Sequence, residues 1–370
     1  MTGEKTGLGG VRAPLLTPSE VVRSRKPWID GAVRVNGGVV PRISTRLTRR
    51  DAWGAVKVRW NIGRGSYAVL PGLYAVGAPS PDSPVLVSAN YKLSFDTLRG
   101  SLAGMDAWIL VLDTKGINVW CAAGKGTFGT EELLRRIEAV RLGEVVSHRG
   151  LVLPQLGAPG VSAPQVKKAG WTVIYGPVRA QDIPAWFAAG RRKTDEMRAV
   201  RFRLADRMAV APVELVQAWP ILLAAVAGSL LLALPFTSGF GARLTGALVP
   251  LLGGVLAAVF AFPALLPWLP FRAFALKGAV LGLVWGTASS LAAGAFAGAT
   301  GATGATAARG AGLTLVIMSL SAFITMNFTG SSTFTSQTGA ALEVRRGLVP
   351  MGASLLLGVG LTAASRLLAL

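Results

Sequence analysis

Five stretches of the C-terminal half, 215–242, 244–271, 278–308, 310–342 and 347–365, contain no Asp, Glu, Lys or Arg. A helix of about 20 predominantly apolar residues crosses the roughly 30 Å hydrocarbon core of a bilayer. Each uncharged stretch has room for one, so the pattern predicts about five membrane spans, near 218–236, 246–268, 274–297, 311–328 and 348–367, in an all-α transmembrane domain over 211–370. Pro263, Pro267 and Pro270 break the second span near its end, and the Gly/Ala/Thr run at 298–304 reads as a short loop. Gly and Ala recur along these helices, which lets backbones approach closely in lipid. A chain that is 51% hydrophobic and 15% charged is consistent with such a division.

The net charge of +20 raises nucleic acid as a partner, but its distribution argues for topology instead. After Pro220 only seven basic residues and one acid, Glu343, occur, so residues 1–220 carry a net +14. Arg191, Arg192, Lys193, Arg198, Arg201, Arg203 and Arg207 precede the first span; Arg272 and Lys277 flank the loop between the second and third; Arg345 and Arg346 fall between the fourth and fifth. Clusters of this kind mark cytoplasmic segments and attract anionic lipid. The expectation is a multi-pass protein of the cytoplasmic membrane with its N-terminal domain in the cytoplasm, in contact with membrane lipid and with no nucleic acid. Residues 1–60 hold no apolar signal-peptide core. With one cysteine, Cys121, and one histidine, His148, the chain cannot build an iron–sulfur cluster, a multi-ligand zinc site or an internal disulfide.

Residues 1–50, rich in Arg, Gly, Pro and Ser, lack a sustained period and read as a flexible N-terminal arm. Order is expected to begin near Trp53. Over 51–210 apolar strand-like runs alternate with helical stretches: 84–89 (PVLVSA), a helix at 94–102, 108–112 (WILVL), 117–120, a helix at 130–142 with Thr130 as N-cap, then 145–146, 151–153 and 172–175. That alternation predicts a Rossmann-like α/β domain with a mostly parallel sheet. Ligands of such sheets bind beyond the carboxyl ends of the strands, where the loops 88–94, 114–129 and 154–160 fall.

The segment 114–130 (TKGINVWCAAGKGTFGT) carries the densest chemical signal. Cys121 stands between Trp120 and the small residues Ala122, Ala123 and Gly124, which would let a large planar ligand approach the backbone, with Lys125 available to favour a metal-ligating thiolate. The plain alternative is a small buried hydrophobe.

The run Asn118-Val119-Trp120-Cys121-Ala122-Ala123-Gly124-Lys125 resembles the signature of the mercury-methylating corrinoid protein family, itself related to the corrinoid iron–sulfur protein of the acetyl-CoA pathway. The resemblance extends to 71–74 (PGLY), 85–96 (VLVSANYKLSFD), 106–114, 155–160 (QLGAPG) and 326–332 (MNFTGSS), covering about 53–370. It implies a membrane-anchored, corrinoid-dependent methyltransferase that passes a methyl group from methylcobalt(III) to Hg(II). Cys121 would be the catalytic residue and the lower axial ligand of the cobalt of a bound cobalamin or methylcobalamin. Asn118 to Lys125 would cap the ring, Ser88 and Ser94 would lie near the corrinoid with Asn90, Tyr91 and Lys92 as further candidates, and Leu151 would offer a backbone contact. The partners implied are a ferredoxin-like protein with two [4Fe-4S] clusters and a methyltetrahydrofolate-dependent methyl donor enzyme. His148, in VVSHRG rather than a D-x-H-x-x-G motif, reads as a structural imidazole. A second reading keeps the corrinoid but makes the chain a one-carbon carrier of the acetyl-CoA-pathway type with another methyl acceptor. A third, a transporter or scaffold with the polar loop 327–338 as its pathway, is opposed by the scarcity of ionisable residues in the spans.

Overall fold

A computed structural model describes residues 26–36, 38–233, 240–293, 304–331 and 337–367. The chain divides into two compact units, one made of residues up to Val58 and Ile62–Val200 and one made of Arg59–Asn61 and residues from Arg201 onward.

The first unit is built on a seven-stranded sheet in the order β1-β2-β3-β5-β4-β6-β7. Its strands are β1 (Ile29–Val35), β2 (Gly38–Ile43), β3 (Gly72–Val76), β4 (Val85–Ala89), β5 (Ala107–Leu112), β6 (Gly150–Leu153) and β7 (Thr172–Tyr175). β5, β4, β6 and β7 are parallel neighbours, β3 runs antiparallel to β5, β2 is parallel to β3 and β1 antiparallel to β2. The α/β architecture expected from the alternation is present, with a mixed rather than uniformly parallel sheet. β5 is apolar without a break, and β4 apolar except at Ser88, because both their faces are covered, as in parallel sheets generally. Val85, Val87, Leu110 and Leu112 face one core with Leu133 and Ile137, while Leu86, Ile109 and Val111 face the other with Phe95, Leu98 and Leu102. Helix α2 (Lys92–Ser101) therefore covers one face, and α4 (Thr130–Ala139) the other.

Several local expectations need correction. The flexible arm expected over 1–50 is ordered in its second half, because Val40 and Ile43 are fully buried and Trp28 stacks edge-on against Tyr74 and Phe95, with centroids 5.7 and 5.1 Å apart. Residues 1–25 of that arm lie outside the described residues. The run 117–120 is the entry to helix α3 (Val119–Gly124), not a strand, and 145–146 ends a short helix, Leu142–Val145. Thr130 is the first helical residue after the cap Gly129, and its hydroxyl instead accepts the Ser162 N–H at 2.8 Å.

The first helix, α1 (Arg49–Arg59), is fastened to α2 by a buried ion network. Lys92 Nζ lies 2.9 Å from Asp51 and 2.5 Å from Asp96; Arg99 Nε donates to Asp96 at 2.8 Å, and its Nη1 to the Ser44 carbonyl at 2.6 Å. Arg99 Nη2 is 3.0 Å from Asp51, an ion pair angled away from a hydrogen bond. Burial works to raise the Asp51 carboxyl, but hydrogen bonds from Lys92 and Thr48 and the Lys92 charge outweigh it and hold the group well below the usual carboxylate range. A depressed pKa stabilises the fold above the unfolded value of about 4, and that stability is lost as pH falls from there toward the folded value. Melting the full chain by near-ultraviolet circular dichroism between pH 7 and 2 should show a loss of stability below about pH 4. Asp51→Asn should start less stable at neutral pH and depend less on pH over that window.

The second unit is helical: α7 (Trp219–Ala233), α8 (Phe240–Leu256), α9 (Phe274–Ala292), α10 (Gly304–Asn327) and α11 (Gln337–Leu367) follow the shorter α5 (Ala163–Lys168) and α6 (Ile183–Ala188) of the first. Helix α8 continues through a π-turn, Ala257–Ala261, to Leu265. Among the described residues, four helices, Phe240–Leu265, Phe274–Ala292, Gly304–Asn327 and Gly339–Ser365, are long and apolar enough to cross a membrane. A fifth exists only if Leu204–Gln217 and Trp219–Leu231, bent by 51°, count as one. The bend falls where Pro220 opens the second helix, a position at which proline is tolerated because the early N–H groups have no intrahelical partner. Arg345 and Arg346, expected in a loop, lie inside α11, whose 31 residues rise about 46 Å and so exceed the bilayer core. Residues 298–303 of the expected loop and 332–336 of the polar segment 327–338 lie outside the described residues. At Gly282 an added Cβ would stand 2.6 Å from Met318 Cα, so α9 and α10 meet backbone to backbone there. Ser319 donates to the Met351 carbonyl at 2.7 Å and Thr325 to that of Phe274 at 3.0 Å, stitching α10 to both neighbours.

Candidate functional site

β4 sits between β5 and β6, so the connection leaving it through α2 and the one arriving at β6 through α4 diverge to opposite faces. The divergence opens a crevice beyond the carboxyl ends of the strands, the general ligand position of open α/β sheets. A cavity of about 380 Å³ occupies it. Ser88 and Tyr91 line it from the end of β4, Ser94 and Thr97 from α2, Asn118, Val119 and Trp120 from the start of α3, Leu153, Pro154 and Leu156 from β6 and the loop after it, and Gly176, Pro177 and Val178 from the loop after β7. Among the described residues its polar lining consists of hydroxyls, one carboxamide, the Trp120 indole and backbone groups.

Two clamps hold the rim. Asn90 Oδ1 accepts from the Thr114 N–H at 3.1 Å, the Thr114 hydroxyl at 2.8 Å and the Gly116 N–H at 2.9 Å, tying the loop after β5 to the end of β4. Lys193 Nζ donates to Gln155 Oε1 at 2.6 Å and to the Gly176 carbonyl at 3.2 Å, joining the loops after β6 and β7. Burial, with the nearby Arg198 charge, lowers the Lys193 pKa. Helix α3 is placed from both ends. Asn118 caps it by accepting the Cys121 N–H at 3.1 Å, and Gly160 approaches so closely that a Cβ there would lie 2.1 Å from the Phe128 carbonyl and 3.0 Å from Ala123 Cα.

Of the residues singled out in the sequence, Ser88, Ser94, Asn118, Val119 and Trp120 meet at the cavity. Cys121 follows them on α3, half-buried rather than sealed in the core. The Ser88 hydroxyl makes only a long 3.4 Å donation to the Ala89 carbonyl among the described residues, and that of Ser94 makes no hydrogen bond there. Ala122 and Ala123 are buried packing residues, and Gly124 and Lys125 are exposed at the carboxyl end of the helix. Leu151 is fully buried in the core at the start of β6 and does not line the cavity. His148 lies at the opposite, amino end of β6; its Nε2 is 2.9 Å from the Ser83 carbonyl and its Nδ1 accepts the Gly150 N–H at 3.2 Å, so both ring nitrogens are engaged structurally. Of the further candidates, Tyr91 reaches the cavity, Asn90 is a clamp, and Lys92 belongs to the ion network. The contribution of the loop after β7 was missed, although the strand itself and the rule that ligands collect at strand ends would have found it.

Residues 63–187 match the family model described as the CO dehydrogenase/acetyl-CoA synthase delta subunit. The match lies within the first unit. The chain is also 35% identical over 136 residues to the acetyl-CoA decarbonylase/synthase complex subunit gamma of Archaeoglobus fulgidus, covering 35% of this chain and 29% of that one. It is 36% identical over 118 residues to the gamma subunit of Methanopyrus kandleri, covering 31% and 25%. With the gamma subunit of Methanocaldococcus jannaschii it shares 36% identity over 115 residues, covering 30% and 23%. The chain thus spans less than a third of the length of these relatives. These similarities overturn the resemblance to a mercury-methylating family, and with it the expected methyltransferase acting on Hg(II). The physical reason the eight-residue run misled is visible in α3: Asn118 is a helix cap and Ala122 and Ala123 are buried spacers, so the run describes a helix and its packing and carries no information about a methyl acceptor.

Asn90→Ala removes the acceptor of three donors and should cost about 2–3 kcal/mol, read as a lowered denaturation midpoint. Gly160→Ala should cost about 1–3 kcal/mol through overpacking against α3.

Proposed function

We propose that the first unit binds a corrinoid and carries a methyl group on it, as a one-carbon carrier of the acetyl-CoA-pathway kind, and that the apolar helices of the second unit hold it at the cytoplasmic membrane with the first unit on the cytoplasmic side. The observation that carries this reading is the crevice at the strand ends, walled by Asn118, Val119 and Trp120 with Cys121 next on the same helix. Similarity to subunits of acetyl-CoA decarbonylase/synthase complexes supports it.

The residues present fit such a group. The walls are mainly apolar, among them Leu86, Leu93, Leu98, Val152 and Ile183, which suits a macrocycle, and the spare hydroxyls of Ser88 and Ser94 suit its amide-bearing edge. The cobalt of a bound corrinoid supplies the site at which a methyl group is held and released. Cys121 is the residue available to ligate it, and a thiolate is a softer, stronger electron donor than imidazole. Asn118 fixes the first turn of α3, and Gly160 with Ala122 and Ala123 sets the helix against the loop Gln155–Gly160. Gly124 and Lys125 stand on the exposed end of the helix and would contact the cofactor only from the solvent side. The partners of such a carrier are an enzyme that supplies the methyl group from a methylated folate, a protein with iron–sulfur clusters that supplies electrons, and an acceptor enzyme of acetyl-CoA chemistry.

Full-length protein in detergent, incubated with hydroxocobalamin and passed through a desalting column, should retain one corrinoid per chain. Cys121→Ala should keep the fold and change the visible spectrum of the bound corrinoid. Ser94→Leu, which fills the cavity from α2, should weaken binding at least about tenfold, or 1.4 kcal/mol. Absence of retained corrinoid in the unsubstituted chain would sink the proposal.

A further inference from the structure

One cavity in the second unit belongs to no site described so far. It measures about 830 Å³ and lies among α9, α10 and α11, walled by Leu276, Met318, Leu342 and Met351. Two guanidinium-bearing side chains, Arg272 just before α9 and Arg346 on α11, also line it. Glu343 stands with them, but its carboxylate is committed to the start of α9, where it accepts the Ala275 N–H at 2.5 Å. Among the described residues, neither Arg272 nor Arg346 has an ion-pair or hydrogen-bond partner. An apolar chamber lined by two guanidiniums against a single carboxylate is the counterpart of an amphiphilic anion: a charged head that the guanidiniums hold in a forked geometry, and a tail that the chamber keeps from water. The part of the chamber walled by Leu276, Met318, Leu342 and Met351 offers little to hydrogen-bond, which suits an acyl chain better than water.

We propose that this cavity is a binding site for an anionic phospholipid, with the phosphate between Arg272 and Arg346 and an acyl chain against Leu276, Met318, Leu342 and Met351. The site rests on the membrane placement proposed above, and not on corrinoid binding. The arginines are at the end of the helices assigned to the cytoplasmic leaflet, where anionic lipid is concentrated and where basic pockets between spans hold such headgroups.

The test uses the full chain extracted from membranes in a mild detergent, offered equal amounts of phosphatidylglycerol and phosphatidylcholine, and examined by native mass spectrometry. The expected result is one phosphatidylglycerol retained per chain through washing, with phosphatidylcholine at least about tenfold less. Arg272→Gln with Arg346→Gln should abolish that preference while the elution volume and melting temperature stay unchanged. Leu342→Trp, which narrows the chamber without touching charge, should lower retention of both lipids, and this second variant keeps the test valid if the double variant misfolds. Equal retention of the two lipids, preference unaffected by the double substitution, displacement of phosphatidylglycerol by millimolar inorganic phosphate, or a lipid-free dimer cross-linked through α11 would each overturn the site. A chain recovered wholly in the soluble fraction overturns both the site and the membrane placement; a membrane-bound chain without lipid preference overturns the site alone, and corrinoid loading is read independently of either.

Discussion

Burial of β4 on both faces is the constraint from which the first unit follows. All five of its residues are inaccessible, and it can be satisfied only as an interior strand with helices above and below. Once β5 and β6 flank it on opposite sides, the chain must leave it over one face and return over the other. The crevice is therefore a consequence of strand order and would exist whatever side chains lined it. What the sequence adds is the means of keeping it open: Asn90, immediately after β4, substitutes a side-chain carbonyl for the backbone partners that the loop after β5 lacks.

The second unit obeys a different constraint. Its helices have little side-chain bulk at their crossings, so they meet through small residues and through hydroxyls donating to carbonyls of neighbouring helices. Lys277 follows the same logic, donating to the Leu266 and Leu269 carbonyls at 2.8 and 2.6 Å, where the preceding helix ends and its carbonyls have no intrahelical partner.

How far these features were legible depended on whether they were periodic or local. The uncharged stretches and the runs at β4 and β5 announce themselves by length and hydropathy, and the helix at Thr130–Ala139 by the spacing of Leu133, Leu134 and Ile137. β1 and β2 were hidden because their apolar residues are interrupted by Gly, Pro and Arg, and because what orders them is remote: Trp28 packing on Tyr74 and Phe95. Arg345 and Arg346 were misjudged as a loop for a related reason, since charge was taken to mark a boundary that backbone hydrogen bonding does not share. Within the site, the segment around Cys121 and the two serines could be named from the sequence, but not that the segment is a helix. The clamps by Asn90 and Lys193 and the close approach of Gly160 are long-range contacts with no local signature. The run around Cys121 was read as specifying a methyl acceptor when most of its residues answer to packing.

The hydroxyl-and-carboxamide lining of the crevice has one further consequence. Among the described residues that wall it there is no carboxylate, ammonium, guanidinium or imidazole, and the sole ionisable side chain is the Tyr91 phenol. Such walls keep the same charge from mildly acid to mildly alkaline solution, so any proton exchanged on binding belongs to the guest or to the thiol beside it. A host of the kind proposed above would in this sense be electrically silent: it would discriminate by shape and by hydrogen-bond count, and leave acid–base work to whatever docks against it.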